Sequence, residues 1–293
     1  MTTAVIWCLA TGALWTGVGV YFSAINRQGR DPILFNLCSA VFLLALCLGT
    51  VRWSGLLAGD CDHFELIKFL VVMLLAGGAL AGGMVLMIVA MRRGLPDVAW
   101  SICQSSMVIP FALGVLWNGE RAGGVNVLGM VAILVGIAVF GRRKKTEGTG
   151  QRWFPLALGA FAVIGAGQYF FSLPSYWPGW SDRYALRIPT QAAGGLAFLL
   201  VLARPGKLLE LDRIAWLHGA LFAVLTFAGR FALYQAIDAL AALRLVAIAY
   251  PVCLGLSILG FVFYHALCQR RLSLAAATVS ALLVAGLLML GYR

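Results

Sequence analysis

Charge is what this chain has least of. Asp, Glu, Lys and Arg make up 11% of its 293 residues against 62% hydrophobic ones, and its mean hydropathy is +0.93. So little polar surface could not cover a soluble globule of that length, so lipid must serve as solvent. Long polar stretches are missing too: apolar runs of roughly 18 to 25 residues, each enough as a helix to cross about 30 Å of hydrocarbon, recur throughout and leave no room for a soluble domain. The seven cysteines, Cys8, Cys38, Cys47, Cys61, Cys103, Cys253 and Cys268, form no CxxC pair, and nearly all lie in apolar runs where a thiol packs as a small hydrophobe. Neither a disulfide framework nor a metal site is expected, and no cofactor. The chain also lacks a DDxxD-type acidic cluster and paired histidines, which a membrane-embedded enzyme acting on a lipid or isoprenoid would need. No catalytic residue is assigned, and an enzyme is the less favoured class. Finally, the opening Met1 to Val5 carries no basic segment, so residues 1–22 read as a retained first helix rather than a cleaved signal.

What is present is a repeating pattern of helices. Apolar runs between charged or Pro/Gly-rich breaks predict spans near 3–22, 32–51, 66–91, 97–117, 123–140, 154–172, 184–203, 214–236, 241–264 and 273–291. The expected fold is therefore an all-α membrane protein of ten transmembrane helices. The net charge of +11 does not point to nucleic acid, which would need a continuous basic surface. Its Lys and Arg residues sit instead in short spacers, as a topology signal does. Arg27 and Arg30, Arg92 and Arg93, the run Arg142 to Lys145 with Arg152, then Arg204, Lys207 and Arg213, and finally Arg270 and Arg271 fall in alternate loops. The other side holds about half as many, Arg52, Lys68, Arg121, Arg183, Arg187, Arg244 and Arg293, so the richer loops are expected in the cytoplasm. Both termini then lie outside an inner (plasma) membrane. Leu173 to Trp180, rich in Pro and Trp, suits an interfacial aromatic anchor.

Two stretches of the sequence echo one another. Gly17-Val18-Gly19-Val20-Tyr21-Phe22 in the first span returns as Gly165-Ala166-Gly167-Gln168-Tyr169-Phe170 in the sixth, and Ala81-Gly82 in the third returns as Ala228-Gly229 in the eighth, at nearly equal offsets. Because five is odd, a second five-helix copy must enter the membrane from the opposite side, giving two inverted five-helix repeats. The domains read as residues 1–140, a basic linker at 141–153, and residues 154–293. Such a repeat places a substrate site near the midplane between the halves. The paired glycines Gly77-Gly78, Gly82-Gly83, Gly17/Gly19 and Gly165/Gly167 also read simply as close helix packing, which sliding of one half past the other would equally require.

The segment from Asp97 to Arg121, with Pro110 inside it and a Gly119-Glu120-Arg121 turn, followed by Gly129 and Gly136, resembles the fourth and fifth helices of the drug/metabolite transporter superfamily. It looks like the ten-helix EamA type, and helix count, short loops and halves extend the resemblance over the whole chain. In the second half Pro251 stands in for the proline, but the turn reads Cys268-Gln269-Arg270-Arg271-Leu272 without the glutamate. The resemblance implies a transporter with a small-molecule substrate and the lipid bilayer as partners; it names no cargo, and a homo-oligomer is left open.

A proton-coupled cation exporter would be expected to hold a carboxylate at mid-membrane, and Asp31, Asp97, Glu120, Asp182 and Asp238 all fall at helix ends or turns. The conspicuous charge is Arg230, inside the apolar run from Leu217 to Tyr234, where the repeat partner is Gly83. Thr226, Arg230, Tyr234 and Asp238, spaced by four, share one helix face. Two readings of Arg230 stand. It is structural, bonded to carbonyls or reaching toward Asp238, or it binds a carboxylate or phosphate bidentately. Trp15, Trp100, Gln104, Gln168, Tyr169 and Tyr250 complete the candidate lining of a substrate cavity, although each alone could be helix glue. Pro110 and Pro251, lacking N–H groups, free a carbonyl one turn earlier and are candidate kinks. The reading favoured is a secondary transporter moving a small polar metabolite, an amino acid or another carboxylate, outward by alternating access. A sugar or nucleotide-sugar carrier on the same fold is the alternative.

Overall fold

The computed structural model describes residues 2–50, 63–94, 96–119, 123–142, 153–177, 184–203, 206, 211–241 and 246–269, with 281, 282, 285, 286 and 289. Among these residues there is helix and turn but no strand. The helices are α1 (Thr2–Arg27), α2 (Pro32–Thr50), α3 (His63–Arg93), α4 (Pro96–Gln104), α5 (Val108–Trp117), α6 (Gly124–Arg142), α7 (Trp153–Ser172), α8 (Tyr184–Leu202), α9 (Arg213–Ala241) and α10 (Val246–Gln269). A 3₁₀ turn, Ser105–Met107, joins α4 to α5, so the two form one crossing of the bundle.

Among the described residues, six helical stretches are long and apolar enough to cross a bilayer: Thr2–Arg27, Pro32–Gly49, His63–Arg93, Val98–Trp117, Trp153–Tyr176 and Arg213–Leu240. Three further apolar helices, Gly124–Val135, Leu186–Leu202 and Val252–Tyr264, are shorter. The expected last span, 273–291, falls largely outside the described residues, although Ala281, Leu282, Ala285, Gly286 and Met289 are helical and Asn126 Nδ2 donates to the Met289 carbonyl at 3.2 Å. The basic linker, the Glu120-Arg121 turn, the loop 51–62 and Arg244 also lie outside them. Large apolar side chains stand exposed on the outer helix faces, among them Ile6, Leu9, Leu75, Leu128, Leu134 and Leu221. Such a belt suits hydrocarbon and would be a liability in water. These features are consistent with a multi-pass membrane protein.

Local sequence decides where helices stop. Gly29 takes a left-handed φ of 69° and lets the chain leave α1, after which Asp31 Oδ1 accepts the Ile33 N–H at 2.8 Å and Pro32 opens α2. Gly119, with φ of 68°, does the same after α5. The 3₁₀ turn falls three residues before Pro110, which has no N–H to donate to the Ser106 carbonyl four residues earlier. The interruption of this span is thus upstream of the proline itself. Pro251, by contrast, lies within an α10 that continues through it, and Pro189 is a further proline inside α8.

Lipid is as apolar as leucine, so close packing rather than hydrophobic expulsion must hold the bundle together. α1 packs on α9 and α10, α3 on α7 and α8, α2 on α9 and α8, and α7 on α4 and α5. The Val98–Trp117 crossing is the most enclosed, 78% buried against 33–50% for the other five. Around it Trp100 packs on Phe261 at 5.3 Å, and Phe22 on Phe222 at 4.6 Å. Of the paired glycines, Gly77 and Gly83 sit where a Cβ would collide, with the Gln191 main-chain carbonyl and the Ile164 side chain respectively. Gly17 and Gly78 leave ordinary van der Waals room.

Candidate functional site

The site begins with one backbone contact. At Gly77 the α3 main chain lies directly on the Gln191 carbonyl, and at Gly194, almost one turn further along α8, the α8 main chain lies on the Leu74 carbonyl. With no side chain between them the two helices approach closely, as small residues at membrane interfaces allow. This fixes Gln191 at the bundle interior, 1% exposed, one helix away from Arg230. Arg230 Nη1 donates to Gln191 Oε1 at 2.9 Å. A guanidinium can only donate, so the atom of Gln191 facing it must be the oxygen, and Gln191 Nε2 is left without a hydrogen-bond partner. No ion pair reaches Arg230 among the described residues. The contact shown for Arg230 is thus with the amide of a neighbouring helix.

Two cavities share the Arg230–Gln191 pair. The first is lined by Trp15 of α1, Leu80, Met84 and Met87 of α3, Gln104 of α4, Ile164, Gln168 and Phe171 of α7, and Leu233 and Leu254. The second lies between α2, α3, α8 and α9 and includes Asn36, Ser39 and Thr226. Its polar groups turn back on the backbone: Asn36 Nδ2 donates to the Pro32 carbonyl at 2.7 Å, and the Thr226 hydroxyl to the Phe222 carbonyl. In the first cavity Trp15 Nε1 has no hydrogen-bond partner, and Ser106 Oγ donates to Gln168 Oε1 at 3.3 Å.

The fold therefore brings Trp15, Gln104, Gln168 and Arg230 to one cavity and Thr226 to its neighbour, and leaves three candidates elsewhere. Trp100 is fully buried among Phe22, Phe261 and Gly19. Tyr169 packs beside Trp117 and Phe170. Tyr234 stacks on Phe171 at 4.5 Å, so it backs the wall that Phe171 presents. The face shared by Thr226, Arg230 and Tyr234 thus divides between lining and packing. Tyr250 and Pro251 lie in the first turns of α10, and their side chains fall outside the described residues.

Sequence reasoning missed Gln191, and it took Arg187 for a residue of the sparser basic side. Arg187 is fully buried, its Nη1 donates to Ser175 Oγ at 3.2 Å, and its guanidinium stands over the Tyr234 ring at 5.6 Å. The offset that pairs Arg230 with Gly83 pairs Gln191 with Leu44 and Arg187 with Ala40. Polar groups opposite apolar ones at that sequence offset were the signal that would have found both.

Polar ties close the bundle at its ends. Near the Gly29 turn, Arg30 Nη1 pairs with Asp212 Oδ1 at 3.0 Å, Arg92 Nε donates to Asn26 Oδ1 at 2.9 Å, and the Tyr21 hydroxyl meets His218 Nδ1 at 2.6 Å. Asp212 Oδ1 also accepts the Ala215 N–H at 2.6 Å as the cap of α9. That N–H first, and Arg30 with it, hold the carboxyl below its usual range. At the opposite end Lys68 pairs with Glu65 at 3.3 Å and lies over Trp177 at 4.3 Å.

No family model and no curated protein sequence matches the chain. Among the solved structures similar to it, one crystal structure matches at a TM-score of 0.56 and 17% identity, over 99% of this chain and 96% of that one. At that identity the likeness shows the fold alone, which extends over essentially the whole chain.

Proposed function

We propose that this protein is a secondary transporter that moves a small carboxylated metabolite across an inner membrane by alternating access, and that it is not an enzyme. The observation that carries the reading is the cavity between the helices, whose largely apolar wall holds three amides, the Trp15 indole N–H and one guanidinium without an acidic partner among the described residues. An arginine in that setting is costly unless it serves a ligand or a counter-charge.

The architecture proposed is ten helices in two inverted repeats of the drug/metabolite transporter, EamA type. Its support is that packing partners exchange when α1, α2, α3 and α4–α5 are paired with α7, α8, α9 and α10. The contact of α1 with α9 answers that of α7 with α3, α1 with α10 answers α7 with α4–α5, and α2 with α9 answers α8 with α3. Ties at both ends of the bundle are what a carrier must break in turn to open on each side. The orientation proposed, with Arg27, Arg93, Lys144, Lys207 and Arg271 in the cytoplasm and both termini outside, rests on the basic residues alone.

The test is uptake and counterflow in proteoliposomes of the purified protein against carboxylates, amino acids, sugars and nucleotides. Saturable, protein-dependent flux of a carboxylate is expected. Flux of none of them would overturn the transport reading, and flux of sugars alone would replace the carboxylate with the alternative cargo.

A further inference from the structure

The cavity lined by Trp15, Gln104 and Gln168 offers hydrogen-bond donors and few acceptors. Arg230 can only donate, Trp15 Nε1 and Gln191 Nε2 are donors without partners, and two of the three amide oxygens are already engaged, Gln191 Oε1 by Arg230 and Gln168 Oε1 by Ser106. Gln104 alone keeps an amide oxygen that the described hydrogen bonds do not use. None of the described lining residues is acidic. The rest of the wall is aliphatic, thioether and aromatic, with Met84, Met87, Phe171 and Leu254 around the polar corner.

From this donor excess we propose that the cavity takes a monocarboxylate with an apolar body and discriminates against the zwitterionic amino acid of the same shape. The inference rests on the reading of this cavity as the transported substrate's site. A carboxylate entering it meets a guanidinium with donors to spare, a charge-assisted pairing that strengthens where water is excluded. An ammonium on the neighbouring carbon would have to shed its water against one amide oxygen, with no counter-charge to replace it. The apolar body loses nothing, since thioether and aromatic walls accept varied shapes.

The test uses two matched sets of probes: hydrocinnamate, phenylalanine and phenethylamine, then isocaproate, leucine and isoamylamine. Within each set the body is constant while the carboxylate or the ammonium is removed. Binding is read as thermal stabilisation of the purified full-length protein, separately from flux in proteoliposomes. The carboxylate is expected to bind about tenfold or more tightly than its amino acid, because an uncompensated polar group is the strongest basis for rejection, and the amine should not bind. Gln104→Glu, which supplies the missing counter-charge, should weaken hydrocinnamate and strengthen phenylalanine. Binding of phenylalanine equal to or better than hydrocinnamate by the parent protein would overturn the proposal while leaving transport intact. Binding of hydrocinnamate without flux would support the proposed selectivity and sink the transport reading instead. No binding by any probe would overturn the proposal.

Discussion

The sharpest prediction concerns Gly77, because it separates two neighbouring glycines of identical sequence context. A Cβ at position 77 would land on the main-chain carbonyl of Gln191, while one at position 78 would find its nearest neighbour, the Phe198 Cβ, at 3.6 Å. Ala is favoured over Gly inside a helix by about 0.8–1.0 kcal/mol, so Gly78→Ala should be stabilising by up to roughly that amount. For Gly77→Ala the same gain is opposed by overpacking against backbone, which no rotamer change can relieve and which costs on the order of 3 kcal/mol. The net is a loss of about 2 kcal/mol. For a chain of this size that is a fall in Tm of roughly 4–8 °C, read in detergent or lipid nanodiscs, with Gly78→Ala as control. The two helices must part by about 1 Å to accept the methyl group, because packed interiors have no slack. That displacement takes the 2.9 Å bond from Arg230 to Gln191 to its limit, so substrate affinity should fall with stability. Equal melting temperatures for Gly77→Ala and Gly78→Ala would refute the close approach of α3 and α8, and with it the placement of Gln191 beside Arg230.

Arg230→Lys keeps the charge but loses the planar fork, so affinity for a carboxylate should drop by about 2 kcal/mol, roughly thirtyfold, with folded yield preserved. Less protein of unchanged affinity would make Arg230 structural. A cysteine at Thr146 should resist an impermeant thiol reagent applied to intact cells and react once the membrane is opened. Reaction from outside would reverse the proposed orientation. Asp212→Ala should lower the melting temperature at neutral pH, since the parent carboxylate caps α9 and pairs with Arg30. Its folded pKa is depressed from 3.8, so this contribution is present above that value and lost as pH falls through the lower folded one. The difference between parent and variant must therefore shrink at the acid end, and an undiminished difference would remove the charge from the explanation.

How much of this could be read in advance depends on the physics at each level. That the described residues are helical and the chain apolar follows from composition and run length, because a backbone in hydrocarbon must satisfy its hydrogen bonds within itself. Gly29 and Asp31 mark a helix boundary just as plainly, since φ and capping are local. The singular cost of Arg230 was equally visible, as were Trp15, Gln104 and Gln168 as polar groups within apolar runs. Which of those groups face a common cavity was not visible. Trp100, Tyr169 and Tyr234 are likewise side chains with a polar group within apolar runs, yet they pack against Phe261, Trp117 and Phe171. The helices are apolar on every side, so no amphipathic stripe announces how each is rotated. Rotation is set by where main chains touch. The contact of Gly77 with the Gln191 carbonyl turns α8 so that an amide meets Arg230, and it joins residues more than a hundred positions apart whose spacing carries no trace of the meeting.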